Sequence, residues 1–278
     1  MDDAEGLGLT RLLRLAADRL APVSDTPRLD AELLLAHAFG ITRQALLLGP
    51  DWPVPPEFDS LLQRRLAHEP VAYITGSKAF WTLDLHVTPD VLIPRPDSET
   101  LIEAAIAHFG GGAPATMLDL GTGSGALLLA ALDQWSEAWG LGIDRSAAAL
   151  AVARGNAERL GLGDRACFVQ GSWADALGAR FDLILCNPPY IEVGAALPPQ
   201  VAAHEPASAL FAGPDGLDDY RRIAPQLARL LAPGGIAVLE IGGTQADQVS
   251  ALLRAEGLRT NVVKDLAGLD RCVAVCSD

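Results

Sequence analysis

The run Asp119-Leu120-Gly121-Thr122-Gly123-Ser124-Gly125 constrains this chain more than any other feature, because it joins a strand-like stretch, 116–120, to a helix-like one, 126–135. Glycines at such a junction reach positive φ and let another group approach the backbone. The helix start behind them presents unpaired N–H groups. In an open α/β sheet this is where a nucleotide-like ligand sits. The pattern around the run agrees. Strand-like stretches at 141–144, 166–169, 181–186 and 235–241 alternate with helix-like ones at 147–160, at 217–231 and through Leu253. The tail adds two strand-like pieces, 258–264 and 272–276, around a turn at Gly268. The expected fold is α/β, a Rossmann-like sheet of seven strands, mainly parallel with an antiparallel edge strand and helices on both faces.

The first 70 residues read differently, as short helices only. Leu12, Leu13 and Leu20 with Ala16 and Ala17 make one helical stripe, and Leu29, Leu33, Leu34 and Ala38 another. Thr26-Pro27 offers a cap followed by proline at the first helical position, and Gly40 a stop. Shorter helices are expected at 42–49 and around Phe58, Leu61, Leu62 and Leu66. Then Leu83, Leu85 and Val87 alternate with polar residues, as in a half-exposed strand. The prolines of Ile93-Pro94-Arg95-Pro96-Asp97 stiffen a loop that presents Arg95 and Asp97, and Ser98 or Asp97 can cap the helix that follows. The chain is therefore expected to divide into a helical domain (1–72), a β-hairpin and loop linker (73–97) and an α/β domain (98–278).

Charge narrows the partners. The chain has 278 residues, with 35 acidic residues against 21 Lys plus Arg, for a net charge of −14. Such a balance, without a basic run, argues against direct nucleic-acid binding or an anionic membrane surface. No apolar run is long enough for a membrane span, and the acidic start lacks the pattern of a signal peptide. Cys167, Cys186, Cys272 and Cys276 form no CxxC pair and read as reduced, mostly buried thiols of a cytoplasmic protein. No ligand spacing for a metal is present.

Two further features carry chemistry. Asp144 ends the second strand, 23 residues beyond Gly121. It can accept hydrogen bonds from ribose hydroxyls or cap the next helix. Asn187-Pro188-Pro189-Tyr190 follows the strand 181–186, at the sheet edge that carries the glycine turn. Both Asn187 and Pro188 precede a proline and are held extended. The Asn187 side-chain oxygen and the Pro188 carbonyl can together accept both hydrogens of a planar NH₂ group, on which Tyr190 can stack. A dinucleotide-binding oxidoreductase would leave this motif unexplained.

On these residues the chain resembles class I S-adenosylmethionine-dependent methyltransferases that methylate nitrogen. It is most similar to the HemK-type peptide chain release factor glutamine N5-methyltransferases. The resemblance runs through Glu69 to Gly76, Phe80-Trp81, Leu92 to Glu99, the glycine turn, Asn187 to Ile191, Glu205-Pro206, Gly213 to Gly216 and Tyr220 to Ile223. It implies that Gly121, Thr122, Gly123, Ser124 and Gly125 line the methionine part of S-adenosyl-L-methionine, which leaves as S-adenosyl-L-homocysteine. It implies that Asp144 holds the ribose, that Trp173 lies near the adenine, and that Asn187 serves cofactor and substrate alike. Asn187, Pro188, Pro189 and Tyr190 would hold the substrate glutamine, with Asn187 and Pro188 catalytic. The partner would be a release factor docked by the helical domain, in translation termination, and the enzyme a monomer. The loop at 93–99 would close over the site and exclude water. The chain departs from the family at Ser172, where relatives often carry an acid, and at Ala203-His204, where an arginine–phenylalanine pair is usual. Competing acceptors are a glutamine of a ribosomal protein and, against the charge, adenine N6 of nucleic acid.

Overall fold

The computed structural model describes residues 8–50 and 53–276. Residues 1–7, which bear on the signal-peptide expectation, lie outside the described residues. The chain divides into two compact units, residues 1–77 with 197–204, and residues 78–196 with 205–278.

The first unit is helical: α1 (Leu9–Leu20), α2 (Pro27–Phe39), α3 (Arg43–Leu48), α4 (Phe58–Leu66) and α5 (Val71–Thr75). Its core gathers Leu13, Ala16 and Leu20 of α1, Ala31, Leu34 and Leu35 of α2, and Phe58, Leu61 and Leu62 of α4. The buried stripe of α2 is rotated from the expected one, so that Leu29 is exposed. The rotation brings Asp30 and Glu32 inward, where arginines meet them. Arg65 Nε donates to Asp30 Oδ2 at 2.8 Å, and Arg28 and Arg43 donate to the two oxygens of Glu32. Thr42 caps α3 by accepting from the Ala45 N–H. Thr26 does not cap α2 in this way; its hydroxyl donates to Asp30 instead. Gly40 ends α2 in the left-handed conformation, at φ +65°.

The second unit opens with a two-stranded sheet, β1 (Ser77–Phe80) and β2 (Leu83–His86), whose Leu83 and Leu85 point inward and Asp84 and His86 outward. In chain order there follow α6 (Glu99–Phe109), β3 (Thr116–Leu120), α7 (Ala126–Gln134), β4 (Trp139–Asp144), α8 (Ala147–Arg159), β5 (Ala166–Gln170) and β6 (Phe181–Cys186). A short helix, α9 (Pro199–His204), belongs to the helical unit. No local feature of the sequence announces that assignment. The chain ends with α10 (Asp218–Leu230), β7 (Leu231–Glu240), α11 (Ala246–Ala255), β8 (Arg259–Lys264) and β9 (Asp270–Cys276).

Seven strands form one sheet in the order β5-β4-β3-β6-β7-β9-β8. The first five are parallel to one another; β9 pairs antiparallel with both β7 and β8 at the far edge. The central strands are apolar on both faces, as a covered parallel sheet requires. Along β6, Leu183 and Leu185 face one core with residues of α6, α7 and α8, while Phe181, Ile184 and Cys186 face another with residues of α10 and α11. The chain order reverses between β3 and β6: β4 and β5 lie to one side of β3, β6 and β7 to the other. In open α/β sheets ligands bind at this switch point, beyond the carboxyl ends of the strands. All four cysteines are free; Cys186 and Cys272 are buried, Cys276 is half-buried and Cys167 is exposed. No helix among the described residues is long and apolar enough to cross a membrane, and no cluster of metal-ligating side chains occurs among them.

Candidate active site

A cleft with about 1060 Å³ of empty space opens at the switch point, in the second unit. Gly121, Thr122, Gly123, Ser124, Asp144, Trp173, Asn187 and Pro189 line it. Gly125, Pro188 and Tyr190 do not. Gly125 starts α7 at φ +83° and packs on Leu129 and Ala153. Pro188 is buried behind the wall and Tyr190 is half-buried.

The glycine turn is shaped by its neighbours. Asp119 is 1% exposed and accepts from the Thr122 hydroxyl at 2.6 Å through one oxygen. Its other oxygen is buried without a partner. Burial pushes this carboxyl up to about 7, against the pull of the Thr122 hydrogen bond. Gly121 has φ +74°, and a β-carbon there would lie 3.3 Å from Cζ3 of Trp173. The indole therefore rests where any other side chain would be. Trp173 itself takes φ +50°, a costly conformation for a bulky residue, and its ring N–H donates to Asp219 Oδ1 at 3.2 Å. Asp144 accepts from the Gly123 N–H at 2.9 Å and the Ser146 N–H at 2.8 Å. It ties the turn to the start of α8, while the helix cap itself is Ser146, which accepts from Ala149. The Ser172 hydroxyl accepts from Arg222 at 2.7 Å. Arg222 and Asp219, both on the cleft wall and both from α10, receive no site role from the sequence, although Arg222 lies within the stretch 220–223 that carries the resemblance.

The opposite wall is assembled from distant residues. Asn187 leaves β6 and donates through Nδ2 to Ser98 Oγ at 3.2 Å. Ser98 donates to Glu240 Oε2 at 2.5 Å, and Tyr190 OH reaches Glu240 Oε1 at 3.4 Å. Ser98 is therefore not the side-chain cap of α6 that its position suggests. The loop before α6 is fastened rather than free. Arg95 pairs with Glu205 at 2.5 Å, Asp97 with Arg271 at 3.1 Å, and Ser98 with Glu240. The Tyr190 backbone is held in turn, because its carbonyl accepts from Gln245 Nε2 at 3.0 Å and Gly216 leaves room for that approach. Ser98, Glu240, Glu205, Asp219 and Arg222 are the members of the site to which sequence reasoning gave no role or another one. The one hint at Glu240 is a lone acid closing an apolar run.

Comparison with known proteins points the same way. Residues 11–76 match the PrmC N-terminal domain, and residues 113–268 match a methyltransferase domain. Release factor glutamine methyltransferase of Caulobacter vibrioides is 44% identical over 276 residues, covering 96% of this chain and 96% of its own. That of Rhodospirillum rubrum is 46% identical over 279 residues, covering 98% of this chain and 86% of its own. Among solved structures, the ribosomal protein L11 methylase of Lactobacillus delbrueckii subsp. bulgaricus is similar in fold alone. Its TM-score is 0.51 at 21% identity, over 69% of this chain and 84% of that one. With such identity sustained along nearly its whole length, the chain belongs to the release factor glutamine methyltransferase family.

Proposed function

We propose that the chain transfers a methyl group from S-adenosyl-L-methionine to the side-chain amide nitrogen, N5, of the glutamine in the Gly-Gly-Gln motif of peptide chain release factors. One observation carries this reading. The glycine turn and Asn187 line the same cleft, and among the described residues no donor reaches Asn187 Oδ1.

The residues present fit the cofactor. A β-carbon at Gly121 would fill the space beside Trp173, and the buried Asp119 offers an unpartnered acceptor oxygen in the cleft wall. Residues 121–124 would hold the methionine part, with Gly125 starting α7 outside the lining; Asp144 would hold the ribose and Trp173 the adenine. Ser172 is no acid, and Asp219, whose carboxyl burial pushes up, takes over as the carboxylate beside the adenine ring. When bound, the cofactor supplies a methyl group on a positive sulfur, which leaves as a neutral thioether.

The work of the protein falls on the amide. Its nitrogen lone pair is delocalised into the carbonyl and is a poor nucleophile. Asn187 Oδ1 and the Pro188 carbonyl accept its two N–H hydrogens, which stabilises positive charge developing on nitrogen and aims the lone pair at the methyl. Pro189, on the cleft wall, flanks the amide plane, and Tyr190 is held outside the lining by Glu240 and Gln245. Once the N–C bond has formed the nitrogen is acidic, and its proton is lost to water without a strong base. The helical unit, which carries the PrmC N-terminal match, docks the protein substrate.

The test is transfer of labelled methyl from the cofactor to release factors, ribosomal proteins and DNA offered separately, followed by mass mapping. Label on the Gly-Gly-Gln glutamine is expected; label confined to a ribosomal protein or to DNA would overturn the reading.

A further inference from the structure

We infer that Ser98 and Glu240 are positioning residues for methyl transfer, a proton-ordered relay that decides which end of the Asn187 amide faces the acceptor. The inference rests on the reading above and extends it to Ser98, on the cleft wall beside Asn187, and to Glu240, which does not line the cleft.

Counting protons forces the orientation. An ionised carboxylate only accepts. Glu240 is 1% exposed, and Ser98 has a single hydroxyl hydrogen, spent on Glu240 Oε2 at 2.5 Å. Toward Asn187 the serine oxygen can then only accept, so Asn187 must present Nδ2–H to it, as it does at 3.2 Å. Oδ1 is left as the end available to the acceptor. The second carboxylate oxygen of Glu240 takes the Tyr190 hydroxyl at 3.4 Å, and the Glu240 main-chain carbonyl takes the Tyr220 hydroxyl at 2.6 Å. One buried acid thus sets both side chains that flank Pro188 and Pro189. Burial of this kind is costly unless every lone pair is used, and a purely structural strand end has no need of it.

Protonation reverses the order. A protonated Glu240 can donate to Ser98, whose hydrogen is then free to point at Asn187. The amide turns, Oδ1 is consumed internally, and NH₂ faces an NH₂ acceptor. Burial pushes the Glu240 carboxyl up to about 7, with Arg271 and the hydrogen bond from Ser98 opposing. The charged and titratable groups around it are Arg271, Asp97, Tyr190, Tyr220, Cys186 and Cys272. The two phenols and two thiols are pushed up, away from neutrality, by burial. Asp119, on the other wall, is the second group held near 7.

The experiment compares the full-length wild type with Ser98→Ala, Ser98→Thr and Glu240→Gln, using a release factor as methyl acceptor. Ser98→Ala should lower kcat about 30-fold, below the full cost of a lost oxyanion-type contact, with the KM for S-adenosyl-L-methionine within about twofold. Ser98→Thr, which keeps the hydroxyl, should restore most of the rate. Wild-type kcat should fall as pH drops through about 7, and Glu240→Gln should lose that limb while any contribution of Asp119 stays. A readout free of turnover is the Asn187 side-chain amide resonance, identified by its loss in Asn187→Ala. It should shift with pH over the same range in the wild type and not in Glu240→Gln. An active wild type with Ser98→Ala undiminished, or an acid limb and amide shift unchanged in Glu240→Gln, would overturn the relay alone. A wild type that leaves the glutamine unlabelled removes the relay together with the proposed function.

Discussion

The two walls of the cleft are built in opposite ways. The glycine-turn wall is local: residues 119–125 supply main-chain groups, and Asp144, one strand away, ties them to α8 through backbone N–H groups. The Asn187 wall is remote. It brings together the start of α6, the end of β6 and the end of β7, with Ser98 and Glu240 separated by 142 positions. A wall made of backbone needs only small residues in a row, and a substitution there acts through steric fit. A wall made of side chains needs hydrogen-bond partners, and a substitution there acts through the orientation of one amide.

The sharpest way to break this contrast is Asn187→Ala. Loss of a preorganised acceptor contact should lower methyl transfer at saturating substrate by about 10²–10³-fold, with the fold intact by circular dichroism; turnover within a factor of two of wild type would remove Asn187 from its role. Next in size is Arg95→Ala. It leaves the Glu205 carboxylate, only 1% exposed as a side chain, without its cation. The pair is open to solvent on the arginine side, so the loss in stability should be about 2–3 kcal/mol, below that of a fully buried pair, read from the denaturant midpoint. On the opposite wall, Gly121→Ala must hold a β-carbon at φ +74° and 3.3 Å from Trp173. We expect about tenfold weaker binding of S-adenosyl-L-homocysteine by calorimetry, roughly the 1–2 kcal/mol of strained backbone and tight contact. Unchanged binding would show that the indole yields freely.

The smallest effect concerns Asp119. Its carboxyl is held near 7 in the folded chain and near 4 in the unfolded one. A raised folded value means that the native state binds more protons, so this group's contribution is greatest below about pH 4 and declines up to pH 7. Asp119→Asn lacks that decline. Its stability relative to wild type should rise by about 1 kcal/mol between pH 6 and pH 7, measured as the difference in Tm at each pH.

The same contrast explains what could be read from the chain. The strand–glycine–helix junction, Asp144 and Asn187 lie together in the cleft because each belongs to a strand end, and strand ends follow from periodicity. The sheet was legible for the same reason. Ser98 was not: it stands directly before a helix and looks like a cap, but its hydroxyl finds a stronger, charged acceptor in Glu240. Thr26 is diverted to Asp30, one turn along its own helix, whereas the Thr42 hydroxyl caps α3. Local capping rules fail where a carboxylate competes for the hydroxyl; at Ser98 tertiary packing delivers that carboxylate, and no run of neighbouring residues records the delivery. Asp219 and Arg222 stand among the charges that open α10, Asp218, Asp219, Arg221 and Arg222, where nothing local separates cleft-facing side chains from solvated ones.

The segment before α6 is fastened through Arg95, Asp97 and Ser98 to three different parts of the fold. Its conformational entropy is therefore given up when the chain folds and not again at each encounter with a substrate. An acceptor glutamine meets a surface already in order, so the ordering it still requires is its own. For a reaction whose nucleophile is as weak as an amide, that division places the flexible partner on one side of the encounter only, and makes the rigidity of the enzyme part of its rate.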